Sequence, residues 1–197
     1  LELIFIRHGQ GEHTLNLPES LYMNDPALTQ EGESQAATLQ TEIPLTEKDI
    51  LVVSPVRRTL QTAFIWSQGI HCRKIVNPFI SPRMFPQKMN GQTLPCDQLL
   101  NTNMISEDFP DFIIEGGLPD ELWLSGINTL PEPEFNDLAQ RFLAWCKKQD
   151  AERILIVTHD GTITSHRQII RNELLTREDF LKDGHWVKET LDSNYTY

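Results

Sequence analysis

Apolar residues in this chain fall into short unbroken runs separated by longer stretches of wider spacing, and the first run, Leu3 to Ile6, comes almost at the start. A run this short and this rich in β-formers predicts a strand buried on both faces. The same signature recurs in "DILVVSP", "RKIVNPF" and "RILIVTHDG". Between these runs the period changes. In "LTQEGESQAATLQ" Thr29 reads as an N-cap and Glu31 and Glu33 suit a first turn. Ala36, Ala37 and the positions from Leu39 to Leu45 supply an apolar side, so a helix is expected from near Thr29 to just before Pro44. Ser54 with Pro55 reads as N-cap plus proline at the first helical position, opening a helix over "VRRTLQTAFIWSQG" that ends near Gly69. Phe135, Leu138, Ala139, Phe142, Leu143 and Cys146 recur at helical spacing, with Lys147 and Lys148 in the last turn. "TITSHRQIIRNELL" reads as a further helix and "HWVKETLD" as an edge strand. Strands alternating with helices predict an α/β fold: a three-layer α/β/α sandwich around a largely parallel central sheet.

One segment breaks the alternation. From residue 78 to residue 134 prolines and glycines are frequent, and the stretch is too long for a simple connection. It is read as an inserted lid carrying short helices over the strand ends. Met84, Met89, Met104, Phe85, Phe109 and Trp123 give it an apolar side, which serves either as an adaptable underside or as packing onto the domain. At 197 residues the chain is expected to form a single domain over residues 1–197.

Composition narrows the partners. A formal net charge of -11 argues against nucleic acid or an anionic membrane as the main partner, so any anion must be held by a local basic pocket. Cys72, Cys96 and Cys146 lie far apart with no pairing or metal-ligand spacing, which predicts free thiols in a reducing compartment. No stretch of bilayer-spanning length and no charged-then-apolar leader is read, and a cytoplasmic location is expected. Leu1 in place of an initiating Met leaves room for trimming upstream. Oligomeric state has no signal in the sequence.

Three strand ends carry chemistry: Arg7-His8-Gly9, Ser54 leading to Arg57 and Arg58, and His159-Asp160-Gly161. In open α/β sheets ligands bind in the crevice beyond the C-terminal ends of the strands, so these segments form a candidate site. The residue types suit phosphoryl transfer through a covalent histidine. A neutral imidazole offers a lone pair to phosphorus if its other nitrogen keeps a proton held by an acceptor. The transferring group spreads charge over three equatorial oxygens, which guanidinium forks and a second histidine are suited to receive. Gly9 and Gly161 permit close backbone approach, and a helix starting near Gly161 turns its positive end to an anion.

With those motifs in place, the chain resembles the histidine phosphatase superfamily, the phosphoglycerate mutase-like fold. "IRHGQ" matches its signature. "DPALTQEGESQA" is similar to D-x-P-L-T-x-x-G-x-x-Q-A, "SPVRRTLQTA" to S-P-L-x-R-A-x-Q-T-A, and "VTHDG" stands where the family has its second histidine. The resemblance runs from Leu3 to about Leu175, the lid excepted. It implies His8 as nucleophile and Arg7, Arg58 and His159 as the phosphate pocket, with Arg57 a solvated neighbour. It also implies a small phosphorylated substrate, and no metal or other cofactor, because the arginines supply the positive charge.

Two departures from the family pattern stand out. The usual Asn after the first histidine is replaced by Thr14 at the expected spacing; Asn16, two residues later, either binds phosphate from a longer loop or stabilises a turn. The usual glutamate after the third strand is missing, since "PFISPRMFPQ" contains no acid. Asp160 is the first candidate for the proton donor, its alternative role being to cap the next helix; Asp97 is second, and Glu12 and Glu115 follow. The expected activity is phosphomonoester hydrolysis through a phosphohistidine at His8. The alternatives are a phosphoglycerate-type mutase and a non-catalytic module that binds phospho-ligands.

Overall fold

Each unbroken apolar run forms a strand in the computed structural model, which describes residues 1–192. In chain order the elements are β1 (Glu2–Arg7), α1 (Gln30–Glu42), β2 (Ile50–Val53), α2 (Arg57–Trp66), β3 (Arg73–Val76), α3 (Thr102–Asp108), β4 (Ile113–Ile114), α4 (Asp120–Ser125), α5 (Glu132–Lys147), β5 (Arg153–Thr158), α6 (Asp160–Arg171) and β6 (Trp186–Thr190). The strands make one six-stranded sheet in the order β4-β3-β2-β5-β1-β6. All pairs are parallel except β1 with β6, where the edge strand expected at "HWVKETLD" joins the sheet in the antiparallel sense.

Alternation along the strands divides the core into two layers. Leu3, Phe5, Val52, Ile154 and Ile156 face α5 and α6, meeting Phe135, Phe142 and Ile163. Ile4, Ile6, Leu51, Val53 and Val157 face the other way onto Leu39 of α1 and Leu60 and Trp66 of α2. The α/β sandwich with a mostly parallel sheet is therefore the observed architecture.

Register sets the position of everything that follows. Arg7 of β1 is level with Thr158 of β5, and Val53 of β2 is level with Val157. The residues that come next on these three central strands are His8, His159 and Ser54. Their segments stay tied after the strands end, with His8 N donating to Thr158 O at 3.1 Å and Ser54 N to Val157 O at 3.1 Å.

Several boundaries differ from the sequence reading. Thr29 does cap α1, its hydroxyl accepting from Gly32 N at 3.1 Å. Ser54 does not cap α2. The helix begins three residues later at Arg57 after an extended Val56, because the Ser54 hydroxyl is drawn to His159 instead. α6 stops at Arg171, where Asn172 turns left-handed with φ 52°, so Leu174 and Leu175 lie outside the helix expected to contain them. α5 begins at Glu132, taking its first residues from the end of the expected lid.

The insert is also less a lid than expected. It contributes β4 to the sheet edge beside β3 and packs Ile105, Phe109 and Phe112 into the core layer under α1 and α2, with Trp123 against them. Met89 is exposed, and Met84 and Phe85 are the two of the named apolar residues that reach the strand-end cleft. Segment 83–85 lies directly on the start of α6: a Cβ at Gly161 would sit 2.2 Å from the backbone oxygen of Arg83. Cys72, Cys96 and Cys146 are free and buried. Among the described residues no helix is long and apolar enough to cross a membrane.

His166 on α6 is fully buried among the rings of Phe5, Phe135 and Phe142. Burial, opposed by the Phe79 backbone and aided by Arg83, lowers its pKa to about 4. Because the folded value lies below the unfolded value of 6.5, the unfolded chain binds more protons between them. Stability is thus fully present above pH 6.5 and is lost as the pH falls toward 4, by roughly 3 kcal/mol from this group. Urea unfolding at pH 7 and pH 4 should show a smaller loss in His166→Leu than in the parent protein; an identical loss would mean that His166 does not carry this share.

Candidate active site

β1 delivers Arg7 and His8 to the C-terminal end of the sheet, β5 delivers His159, and the first turn of α2 brings Arg58 in from the side. They meet in a cleft of about 370 Å³. Arg58 is its centre. Its side chain is 2 % exposed and each of its three nitrogens finds a partner: Nε points at His8 Nε2 (3.3 Å), Nη1 donates to Cys96 O (2.7 Å), and Nη2 reaches Asp97 Oδ1 (2.7 Å) and His159 Nδ1 (3.4 Å).

These contacts assign both tautomers. A carbonyl only accepts, so the 2.7 Å contact between His8 Nδ1 and Gly9 O places the proton on Nδ1. Nε2 is then the lone pair that receives Arg58 Nε–H. A guanidinium only donates, so His159 Nδ1 is an acceptor and its Nε2–H donates to Ser54 Oγ at 2.9 Å. The two rings lie 5.2 Å apart between centroids. Burial and then the Arg58 charge hold both histidines well below their ordinary pKa, so both are neutral in the resting protein.

Arg7 forms the other wall. Its Nη1 donates to Leu181 O at 2.6 Å, its Nη2 lies 3.1 Å from Asp160 Oδ2, and its Nε lies 3.2 Å from Asp183 Oδ1. The loop carrying Leu181 and Asp183 is itself hooked to the strand end, since Gly184 N donates to the carbonyls of Arg7 and His8. Burial, and less strongly the nearby Asp160, raises the Asp183 pKa against the pull of Arg7. Asp160 lies at the first position of α6, where its Oδ1 accepts from its neighbour Gly161 N at 2.7 Å while Oδ2 faces Arg7. Its carboxylate therefore serves the helix end and the cleft together.

The structure thus gathers His8, His159, Asp160, Arg7 and Arg58, together with Asp97, around one cleft. Asn16 is not among them. It is exposed, and its backbone N–H and carbonyl both engage Ser20, so it stabilises a turn. Glu12 accepts from Ala27 N, Glu115 accepts from Trp145 Nε1, and neither lines the cleft. Arg57 bridges Asp25 and Asp108 away from it.

The histidine that the sequence reading passed over is His13. It is buried, lines the cleft and lies 5.7 Å from the His8 ring, with burial followed by Arg58 and Arg7 lowering its pKa to about 3. Its position in a 3-10 turn at Glu12–Thr14 explains the omission, because a single turn inside a polar loop has no periodicity to read. The available signal was a third histidine only five positions after His8. Among the described residues no group of three or more His, Cys, Asp or Glu is placed to hold a metal ion.

Comparison with known proteins agrees with this geometry. The family model for the histidine phosphatase superfamily (branch 1) matches residues 3–83, the span that contains Arg7, His8 and Arg58. The chain is 26 % identical to phosphoglycerate mutase-like protein 1 of Arabidopsis thaliana, over 97 % of this chain and 79 % of that protein. It is 28 % identical to a probable phosphatase of Schizosaccharomyces pombe over 56 % of this chain and 50 % of the other. Its fold is similar to that of a putative alpha-ribazole-5'-P phosphatase from Escherichia coli, with a TM-score of 0.63, 18 % identity and coverage of 98 % and 92 % of the two chains. It is also similar to phosphoserine phosphatase from Entamoeba histolytica, with a TM-score of 0.59, 19 % identity and coverage of 95 % and 89 %. The chain is thus similar to the histidine phosphatase superfamily (branch 1) over residues 3–83.

Proposed function

We propose that the protein hydrolyses small phosphomonoesters by way of a phosphohistidine at His8. The observation that carries this reading is the proton arrangement of the His8 ring: Nδ1–H is fixed on Gly9 O, and Nε2 presents its lone pair into a cleft lined by guanidinium groups. The binding step exchanges partners. Phosphoryl oxygens, being anionic, are stronger acceptors for Arg58 than an imidazole nitrogen, so the substrate draws the guanidinium donors away from His8 Nε2 and His159 Nδ1. That movement frees the nucleophile as the electrophile arrives.

Nε2 then attacks phosphorus, the P–N bond forms, and the P–O bond to the alcohol breaks. Arg58, Arg7 and the start of α6 receive the charge on the equatorial oxygens. The leaving oxygen takes a proton, which we assign to Asp160 because it lies at the cleft beside His159: as Arg7 turns to the phosphoryl oxygens, the freed carboxylate takes up the proton of the phosphomonoester monoanion and passes it to the leaving oxygen. Water attacks the phosphohistidine in the second half, its proton passes back to the same carboxylate, and inorganic phosphate leaves. Asp97 has a different part. Together with Cys96 O it holds the Arg58 guanidinium in plane, so it is a positioning residue. The names of the similar proteins, phosphatases among them, support hydrolysis; a mutase or a binding module would use the same cleft with other outcomes.

His8→Ala should release no inorganic phosphate from phenyl phosphate or from a panel of sugar, nucleotide and glycerate phosphates, whereas the parent protein does. Retained release would remove His8 as nucleophile. Transfer between hydroxyls without release would favour the mutase, and phosphate binding without either would favour the module. Asp160→Asn should slow alkyl phosphates by about 10²-fold or more and aryl esters with good leaving groups far less. Asp97→Asn should raise KM for both by a similar factor. Equal losses on both ester classes in Asp160→Asn would reduce Asp160 to a partner of Arg7. Release of phosphate should persist when EDTA is added, because the positive charge comes from side chains; loss that a divalent ion restores would overturn that expectation.

A further inference from the structure

The cleft extends beyond the residues around His8. Leu17, Leu21, Phe85 and Phe180, all more exposed than His8 and Arg58, also line it. The rings of Phe85 and Phe180 lie 5.9 Å apart, which joins the start of the insert to the segment after α6. Each of these phenylalanines is followed or preceded at a distance of three residues by a cation that also lines the cleft: Lys88 beyond Phe85, and Arg177 before Phe180. Arg177 lies over the Phe180 ring, with Cζ 5.6 Å from its centroid.

These two cations are among those of the chain that have no carboxylate within ion-pair distance among the described residues. Arg7, Arg57, Arg58, Arg83, Arg153 and Arg171 each lie within ion-pair distance of a carboxylate. No such partner is found among the described residues for Lys88 or Arg177, although acidic residues outnumber basic ones by 28 to 17. Asp179, two residues after Arg177, is engaged elsewhere, because it caps the backbone of Thr176. Two exposed positive charges with no ion-pair partner among the described residues thus line, together with apolar side chains, a cleft whose buried part is proposed to take a phosphoryl group.

We propose that Lys88 and Arg177 form a subsite for a second anionic group. On this basis, which rests on the phosphatase reading for the inner end, the substrates are phosphomonoesters whose alcohol carries an apolar segment followed by a carboxylate or a further phosphate. Leu17, Leu21, Phe85 and Phe180 cover the apolar segment. In a strongly acidic protein the exposed surface repels such molecules, so a local pair of cations sets both where they enter and which way they lie.

The test uses three 4-substituted benzylphosphonates that differ only in a propyl, carboxyethyl or aminopropyl tail, bound to the full chain in calorimetry, and the corresponding aryl phosphates assayed for phosphate release. The parent protein should bind the carboxylate-tailed phosphonate about five- to tenfold more tightly than the propyl one and the ammonium-tailed one most weakly. The preference should shrink as salt is raised. In Lys88→Ala/Arg177→Ala the ratio of carboxylate to propyl affinity should fall to about one, and Lys88→Arg should keep it. Equal binding of the three phosphonates by the parent protein, or an unchanged ratio in the double variant, would overturn the subsite. Because the phosphonates report binding without turnover, absence of phosphate release from the esters would count against hydrolysis and leave the calorimetric result to decide the subsite by itself.

Discussion

One guanidinium organises this molecule's chemistry. Arg58 touches His8, His159, Asp97 and the Cys96 carbonyl at once, so the two imidazoles that arrive on separate strands are referred to a common group. A charge this deeply buried is costly unless its donors are satisfied. Two of its partners come from the insert, which means the insert is required to complete the site. Without Asp97 and Cys96 O the guanidinium would lack the acceptors that hold it in the plane between the rings. The same contacts explain why the imidazoles stay neutral: each accepts from a cation in a water-poor setting, and a second positive charge on either ring would face Arg58 directly.

The sheet supplies the second constraint. Parallel register places the residues after β1, β2 and β5 side by side, and hydrogen bonds from His8 N and Ser54 N carry the alignment past the strand ends. Ser54 illustrates how local preference yields to this arrangement. Its sequence context suits a helix cap, yet its hydroxyl accepts the His159 Nε2 proton, fixing which nitrogen of that ring faces Arg58. The delayed start of α2 is the local consequence. Arg58 then falls in the first turn, pointing back over the strand ends.

The sequence made the central strands, α1, α5 and the edge strand legible because their apolar periodicity is imposed by burial on one or two faces. It made Arg7, His8 and His159 legible because motifs at strand ends have a fixed geometric meaning in a parallel sheet, and Arg58 rather than Arg57 through the resemblance of its motif to the family's. Other parts could not be read in that way. The end of α6 depends on a left-handed Asn172, and Asn adopts helical and left-handed backbone alike. His13 and Asn16 lie three residues apart in one loop, and only the path of the 3-10 turn decides that the first enters the cleft and the second faces solvent. In the insert, apolar composition does not distinguish Phe109, which is core, from Phe85, which lines the cleft.

Charge distribution ties these features together. The chain as a whole is acidic, yet the cleft gathers Arg7, Arg58, Lys88 and Arg177 against Asp97 and Asp160. In the resting site each of those carboxylates lies against an arginine and so holds a cation at the cleft. Buried neutral histidines add polar groups without adding charge. An anion entering such a site loses its water but gains the guanidinium donors that His8 Nε2 and His159 Nδ1 give up to it. The buried inner cleft is therefore suited to a tetrahedral oxyanion, while the choice of what that oxyanion is attached to falls to the more exposed rim.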